Sequence, residues 1–174
     1  MKSILATNKL IPLKSSIYML LVFILSCQAE MTEAEYHNKI KDFKQKFNKI
    51  EWVDVKDVDP SKVILVDVRA IEEQEVSVIP GSINQIDFEN KILNSDISEF
   101  KGKTIVAYCT IGYRSGEWAT DMASKGYEVK NLTGGVLAWS HAKRLFSKNG
   151  KTTNKVHTYA KSWNFLAKGY VAIN

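Results

Sequence analysis

Cysteine is nearly missing from this chain. Only Cys27 and Cys109 occur, too few for a disulfide framework. Histidine is also sparse: His37, His141 and His157 are scattered and, with one or two cysteines, form no metal-ligand cluster. No internal repeat, long linker or low-complexity tract is present. The apolar run "IYMLLVFIL" (17–25) has nine residues, short of the roughly 20 that a membrane-spanning helix needs. Acid is absent before Glu30, whereas Lys2, Lys9 and Lys14 crowd the start. Those three lysines account for much of the formal charge of +5; without them the balance is +2. A remainder so close to neutral gives no electrostatic case for nucleic acid.

What is present at the start is an export pattern over residues 1–26. The lysines form a positive flank, and the apolar run has the length of a signal-peptide core. "ILSC" (24–27) follows, which resembles a bacterial lipoprotein box: aliphatic residue, small residue, then the cysteine that receives lipid. The expectation is export, with Cys27 lipidated and the protein anchored at the cell envelope, on the outer-membrane or periplasmic face. Gln28 in place of aspartate favours the outer membrane. Ordinary secretion with cleavage near Ala29, or a retained membrane anchor, are the alternatives. If Cys27 carries lipid, Cys109 has no partner within the chain. A lone thiol is unusual in an exported protein, which favours a chemical role for it.

The 174 residues suit one domain with a hydrophobic core plus extensions. Residues 27–51 contain an expected amphipathic helix: Tyr36, Ile40, Phe43, Phe47 and Ile50 follow a three-and-four spacing along one stripe, and Thr32 with Glu35 makes a capping box. Residues 52–146 alternate strand and helix signals. "WVDV", "KVILVDV", "KTIVAYC" and "YEVKNL" read as strands. "EWATDMASKG" (117–126) and "GGVLAWSHAKRLF" (134–146) read as helices. This order predicts a parallel α/β sheet. Residues 147–174 begin with a polar, turn-like stretch and end in an aromatic tail (Tyr159, Trp163, Phe165, Tyr170) expected to dock on the domain. His157 within it reads as a packing or surface residue.

The chemistry concentrates in "YCTIGYRSG" (108–116). Cys109 ends an apolar strand, where open parallel sheets place their ligand crevices. A loop closing onto a helix N-terminus aims backbone N–H groups inward and stabilises a thiolate. Gly112 permits the tight turn, Arg114 offers a cationic donor fork for an anion, and Ser115 is expected to cap the helix. Thr110, Ile111, Gly112, Tyr113, Arg114 and Ser115 are the candidate substrate-binding residues around the nucleophile Cys109. Packing of a buried cysteine at a strand end is the alternative at this point.

Four segments in order resemble the rhodanese family of single-domain sulfurtransferases: "VILVDVR" (63–69), "EEQEVSVIPGSIN" (72–84), "YCTIGYRSG" (108–116) and "LTGGVLAW" (132–139). The resemblance implies a three-layer fold with a central, mostly parallel five-stranded sheet flanked by helices. It implies Cys109 as sulfur-carrying nucleophile, no cofactor, and as partners a small sulfane-sulfur donor and a thiol or cyanide acceptor. Asp67 and Arg69 would form a structural polar pair near the site. Where many members have Gly-His before Ile-Pro-Gly, Ser77 and Val78 stand here, a change expected to cost only a polar side chain near the surface. Four residues separate Cys109 from Arg114, whereas related phosphatases and arsenate reductases use five. The shorter loop favours sulfur over phosphate, with a lipid-anchored, non-catalytic sulfur-binding or interaction module as the rival.

Overall fold

The computed structural model describes residues 30–95 and 100–174; the export pattern and Cys27 lie outside them. Among the described residues no helix is long and apolar enough to cross a membrane.

The β-branched runs do become strands. β1 (Trp52–Val53), β2 (Val63–Asp67), β3 (Ile83–Asn84), β4 (Thr104–Tyr108) and β5 (Val129–Leu132) form a sheet of order β1-β5-β4-β2-β3, and every pairing in it is parallel. Both faces are covered, as expected of strands without polar alternation. On one side Val66, Ala107 and Val129 meet Phe88, Trp118 and Met122. On the other Leu65, Val106 and Leu132 meet Val136, Trp139, Phe146 and Val156. Among the described residues the α-helices are α1 (Glu33–Lys46), α2 (Ile71–Val76), α3 (Gln85–Leu93), α4 (Tyr113–Ser124) and α5 (Gly135–His141).

Helix α1 starts at the anticipated box: the Thr32 side chain accepts from the Glu35 N–H, and Glu35 reaches back to the Thr32 N–H at 2.8 Å. It ends earlier than its stripe, yet Phe47 and Ile50 beyond it remain buried. Two other helices shift. α4 begins at Tyr113 rather than Glu117, because Gly112 takes the cap position with φ of +113°. α5 stops at His141, and Phe146 opens a strand instead of closing a helix.

The carboxyl-terminal extension is more ordered than its polarity suggested. β6 (Phe146–Lys148) and β7 (Lys151–Thr153) make an antiparallel hairpin around Asn149-Gly150, both at positive φ, the turn chemistry that Asn-Gly favours. β8 (Lys155–His157) and β9 (Val171–Ile173) pair in parallel. Phe146 and Val156 are wholly buried, so the extension completes the second core layer. Its aromatics dock as well: Phe165 stacks on Tyr36 at 4.8 Å and on His141 at 4.7 Å between centroids. The Met31 N–H donates to the Asn164 carbonyl (3.2 Å), and the Asn164 amide donates to Glu30 (2.7 Å).

The two positions that depart from the family pattern belong to this docking. Ser77 is buried rather than superficial. Its hydroxyl donates to the Lys155 carbonyl at 2.6 Å, and Val78 exchanges backbone hydrogen bonds with Ser147. Ser77 and Val78 thus hold the extension against the domain.

Candidate active site

Cys109 follows β4 directly, at the carboxyl edge of the sheet. The chain leaves β2 toward β3 and leaves β4 toward β5, so the crevice between these neighbours is the point where connections diverge. The thiol is almost wholly buried, and the Gly112 N–H donates to its Sγ at 3.1 Å.

The loop is fixed from outside by its carbonyls. The Cys109 carbonyl accepts from Val136 N–H (3.0 Å) and that of Thr110 from Leu137 N–H (3.3 Å). The Gly112 carbonyl accepts from the Asn131 amide (2.8 Å) and the Gly116 N–H (3.1 Å). With these acceptors turned outward, the loop presents the Gly112 N–H toward the sulfur. The approach requires the Gly-Gly turn: a Cβ on Gly135 would lie 2.1 Å from the Cys109 carbonyl oxygen. Gly112 is also constrained, since a Cβ there would meet the Trp52 ring at 2.8 Å.

Arg114 is where the structure departs most from the sequence reading. Its guanidinium binds Glu73 through both terminal nitrogens, at 2.5 and 2.9 Å, and also donates to Thr110 Oγ1 at 3.1 Å. Glu73 is buried and further accepts from the Ala70 N–H and the Thr110 hydroxyl. Burial alone would push its carboxyl up. The Arg114 hydrogen bonds and charge, with help from Ala70 and Arg69, outweigh that and hold it below the ordinary carboxylate range. Burial likewise opposes the Arg114 charge, but Glu73 and the neighbouring Cys109 hold its pKa above the ordinary value. The positive charge expected to meet an anionic donor is therefore already matched. Glu73 was missed in the sequence, where one signal existed: a glutamate three residues after Ala70 can return its side chain to the helix start, as capping glutamates do.

Ser115 does not cap. It lies in the first turn of α4, fully buried, and its hydroxyl has no hydrogen-bond partner among the described residues. Thr110 lies against Glu73. Ile111 packs with Met31, Tyr36 and Leu137. Tyr113 presents its ring edge-on to Phe43 and Phe47, at 5.1 and 5.6 Å between centroids, and hydrogen-bonds Lys46 through its hydroxyl.

Behind the loop, Asp67 and Arg69 form a bidentate buried pair at 2.9 and 2.7 Å. Arg69 also donates to the Ser77 carbonyl, and Tyr108 donates to Asp67, each at 2.7 Å. Tyr108 in turn accepts from the Ile79 N–H at 3.1 Å. Burial first, and the Asp67 charge second, raise the Tyr108 phenol well above its usual value, so it stays a donor. None of these groups lines the cavity over Cys109. They join β2, β4 and the Ile-Pro-Gly turn.

That cavity measures about 400 Å³. The loop forms its floor, α1 contributes Lys39 and Phe43, and the extension contributes Tyr159 and Trp163. Tyr159 sits at φ of +72°, with its N–H donating to His157 Nδ1 at 3.0 Å and its ring 5.1 Å from the Arg114 guanidinium carbon.

Residues 39–142 match the Rhodanese-like domain family. The chain belongs to that family. Its rhodanese-like segment is 35% identical over 82 residues to a tRNA sulfurtransferase from Desulfurococcus amylolyticus, covering 46% of this chain and 15% of that protein. The chain spans between 15% and 37% of the length of the curated relatives it matches. Among solved structures, a rhodanese-related protein from Thermoplasma volcanium aligns with 21% identity over 56% of this chain and 97% of that one, at a TM-score of 0.46. A thiosulfate sulfurtransferase from Pseudomonas aeruginosa aligns with 17% identity over 67% and 23%, at a TM-score of 0.49. Within the rhodanese-like match lie Cys109, Glu73 and Lys39, whereas Tyr159 and Trp163 lie beyond it.

Proposed function

We propose that this protein is a sulfurtransferase in which Cys109 carries sulfane sulfur as a persulfide. The observation that carries this reading is the hydrogen bond from Gly112 N–H to Cys109 Sγ, in a six-residue loop whose carbonyls are tied away from the sulfur. Such a cradle stabilises a thiolate and then the terminal sulfur of a persulfide. In the first half-reaction Cys109 thiolate attacks the outer sulfur of the donor. The donor's sulfur–sulfur bond breaks, and its electron pair leaves with sulfite or a thiolate. In the second, a thiolate or cyanide attacks the outer sulfur of Cys109 and restores the Cys109 thiolate. The loop favours one sulfur over a tetrahedral phosphate because only four residues separate Cys109 from Arg114, and because Arg114 is engaged by Glu73.

The test is intact-protein mass after treatment with thiosulfate and with small persulfides. A reducible gain of one sulfur, absent from Cys109→Ser, is expected. No adduct from any sulfane donor would overturn the reading.

We also propose that the protein is exported and held at the envelope by lipid on Cys27, on the strength of the lysine flank, the apolar run and "ILSC". Only Gln28 and Ala29 separate Cys27 from Glu30, so the domain would stand within about 10 Å of its anchor. Wild-type protein should enter the detergent phase, and Cys27→Ala should not. A mature chain that starts at Ala29 without lipid mass would refute the anchor and leave the sulfur chemistry standing.

A further inference from the structure

The cavity over Cys109 is larger, and less charged, than a compact inorganic donor requires. Four aromatic side chains line it: Phe43, Tyr113, Tyr159 and Trp163. Of the two cations at its wall, Arg114 is matched by Glu73. Lys39 lies instead with its ammonium 4.6 Å over the Trp163 ring centroid, and makes no salt bridge among the described residues. A small dianion entering here would give up hydration for aromatic walls, one lysine and a loop N–H that Cys109 Sγ already takes, an unfavourable exchange. A flat apolar body would bury well against the rings, and one carboxylate would complement Lys39. The volume of about 400 Å³ falls in the range of pockets that hold small organic ligands.

We propose that the donor is an organic persulfide with an aromatic body and a carboxylate, R–S–SH, gripped by the aromatic walls and Lys39 with its terminal sulfur at Cys109. This rests on the sulfurtransferase reading. Cys109 thiolate takes the terminal sulfur, the R–S to S bond breaks, and the electron pair departs on R–S⁻. The proton of the donor's terminal sulfur stays with the new persulfide, and no external oxidant or reductant is needed. Lys39 and Trp163 are then the specificity-determining residues, one from each of the segments that flank the sheet in sequence.

Three donors test this: the persulfide of 4-(mercaptomethyl)benzoic acid, the uncharged benzyl persulfide, and thiosulfate. The kcat/KM for the acid should exceed that for thiosulfate by about tenfold or more, the scale on which a fitted apolar pocket discriminates. Trp163→Ala should lower the ratio of both aryl donors to thiosulfate about tenfold. Lys39→Met should lower the ratio of the acid to the uncharged donor about threefold to fivefold, as for a partly exposed ion pair. Thiosulfate used as well as the acid, or ratios unmoved by both substitutions, would overturn the proposal. A binding arm separates it from the reading it rests on: calorimetry of the unreactive 4-(methylthiomethyl)benzoate with Cys109→Ser. If no donor loads sulfur but this acid binds and Lys39→Met weakens it, the transfer reading falls and the ligand class stands. If thiosulfate loads sulfur and the acid does not bind, the donor proposal alone falls.

Discussion

The floor and the walls of the Cys109 cavity are built in opposite ways. The floor is one short loop whose carbonyls are held from within the sheet domain by Val136, Leu137, Asn131 and Gly116. The walls come from α1 and from the extension, side chains up to 124 positions apart in sequence (Lys39 and Trp163). The floor is stiff because backbone holds backbone. The walls are side chains laid over it, held by stacking and by a few polar contacts such as those of Asn164. Under the proposed function the difference separates two tasks: the loop would set reactivity, and the side chains laid over it the choice of substrate.

Four substitutions can break or sharpen that contrast. The largest expected effect is Asp67→Ala, which leaves Arg69 buried without its partner. A loss of about 3–5 kcal/mol is expected, read as a shift in the urea midpoint. A loss under about 1 kcal/mol would show that the pair does not support the floor. Gly135→Ala comes next. Its Cβ meets a backbone oxygen that cannot step aside, and its φ of +50° disfavours any side chain. About 3 kcal/mol and most of the sulfur loading should be lost. Retained loading would show that the loop tolerates displacement.

Glu73→Gln should cost about 2 kcal/mol at neutral pH and free the Arg114 charge, shifting preference toward thiosulfate. The pH dependence follows from its depressed carboxyl. The stabilisation is present above the unfolded-state value of about 4.3 and fades as pH falls through the lower folded-state value. Acid titration of stability should show that component in the wild type and not in the variant. Smallest is Ser77→Ala, about 1 kcal/mol, since one hydroxyl contact to Lys155 disappears. Its mark should be on donor selectivity, with sulfur loading itself retained; equal damage to both would merge floor and walls into one unit.

The legibility of the molecule follows the same division. Strands β2 and β4 were readable because burial on both faces writes a continuous apolar run into local sequence. Cys109, Gly112 and the Gly134-Gly135 turn were readable because tight backbone approach demands particular residues. Glu73 was not, because a carboxylate in the acidic stretch Glu72-Glu73-Gln74-Glu75 looks solvated until the fold brings Arg114 to it. Arg114 was read only as a donor fork for an anion, and its pairing with Glu73 was not legible for the same reason. The start of α4 was misplaced by four residues, since left-handed Gly112, rather than Ser115, begins the helix. The hairpin at Asn149-Gly150 carried a turn signal that its polar surroundings obscured. The walls were illegible in principle: nothing local in "HNKIKDF" or "AKSWNF" says that the two segments face one another across a thiol.

One contact also has a mechanical meaning. Asn164 holds both Glu30 and Met31, one residue from Trp163. A pull applied at Glu30 itself loads those hydrogen bonds before it can load the parallel sheet. They stand at the end of the pulled segment, to be peeled one after another, whereas the sheet is locked by many bonds acting together. Tension on the amino-terminal side is therefore felt at a cavity wall first, while the loop beneath Cys109 stays mechanically sheltered.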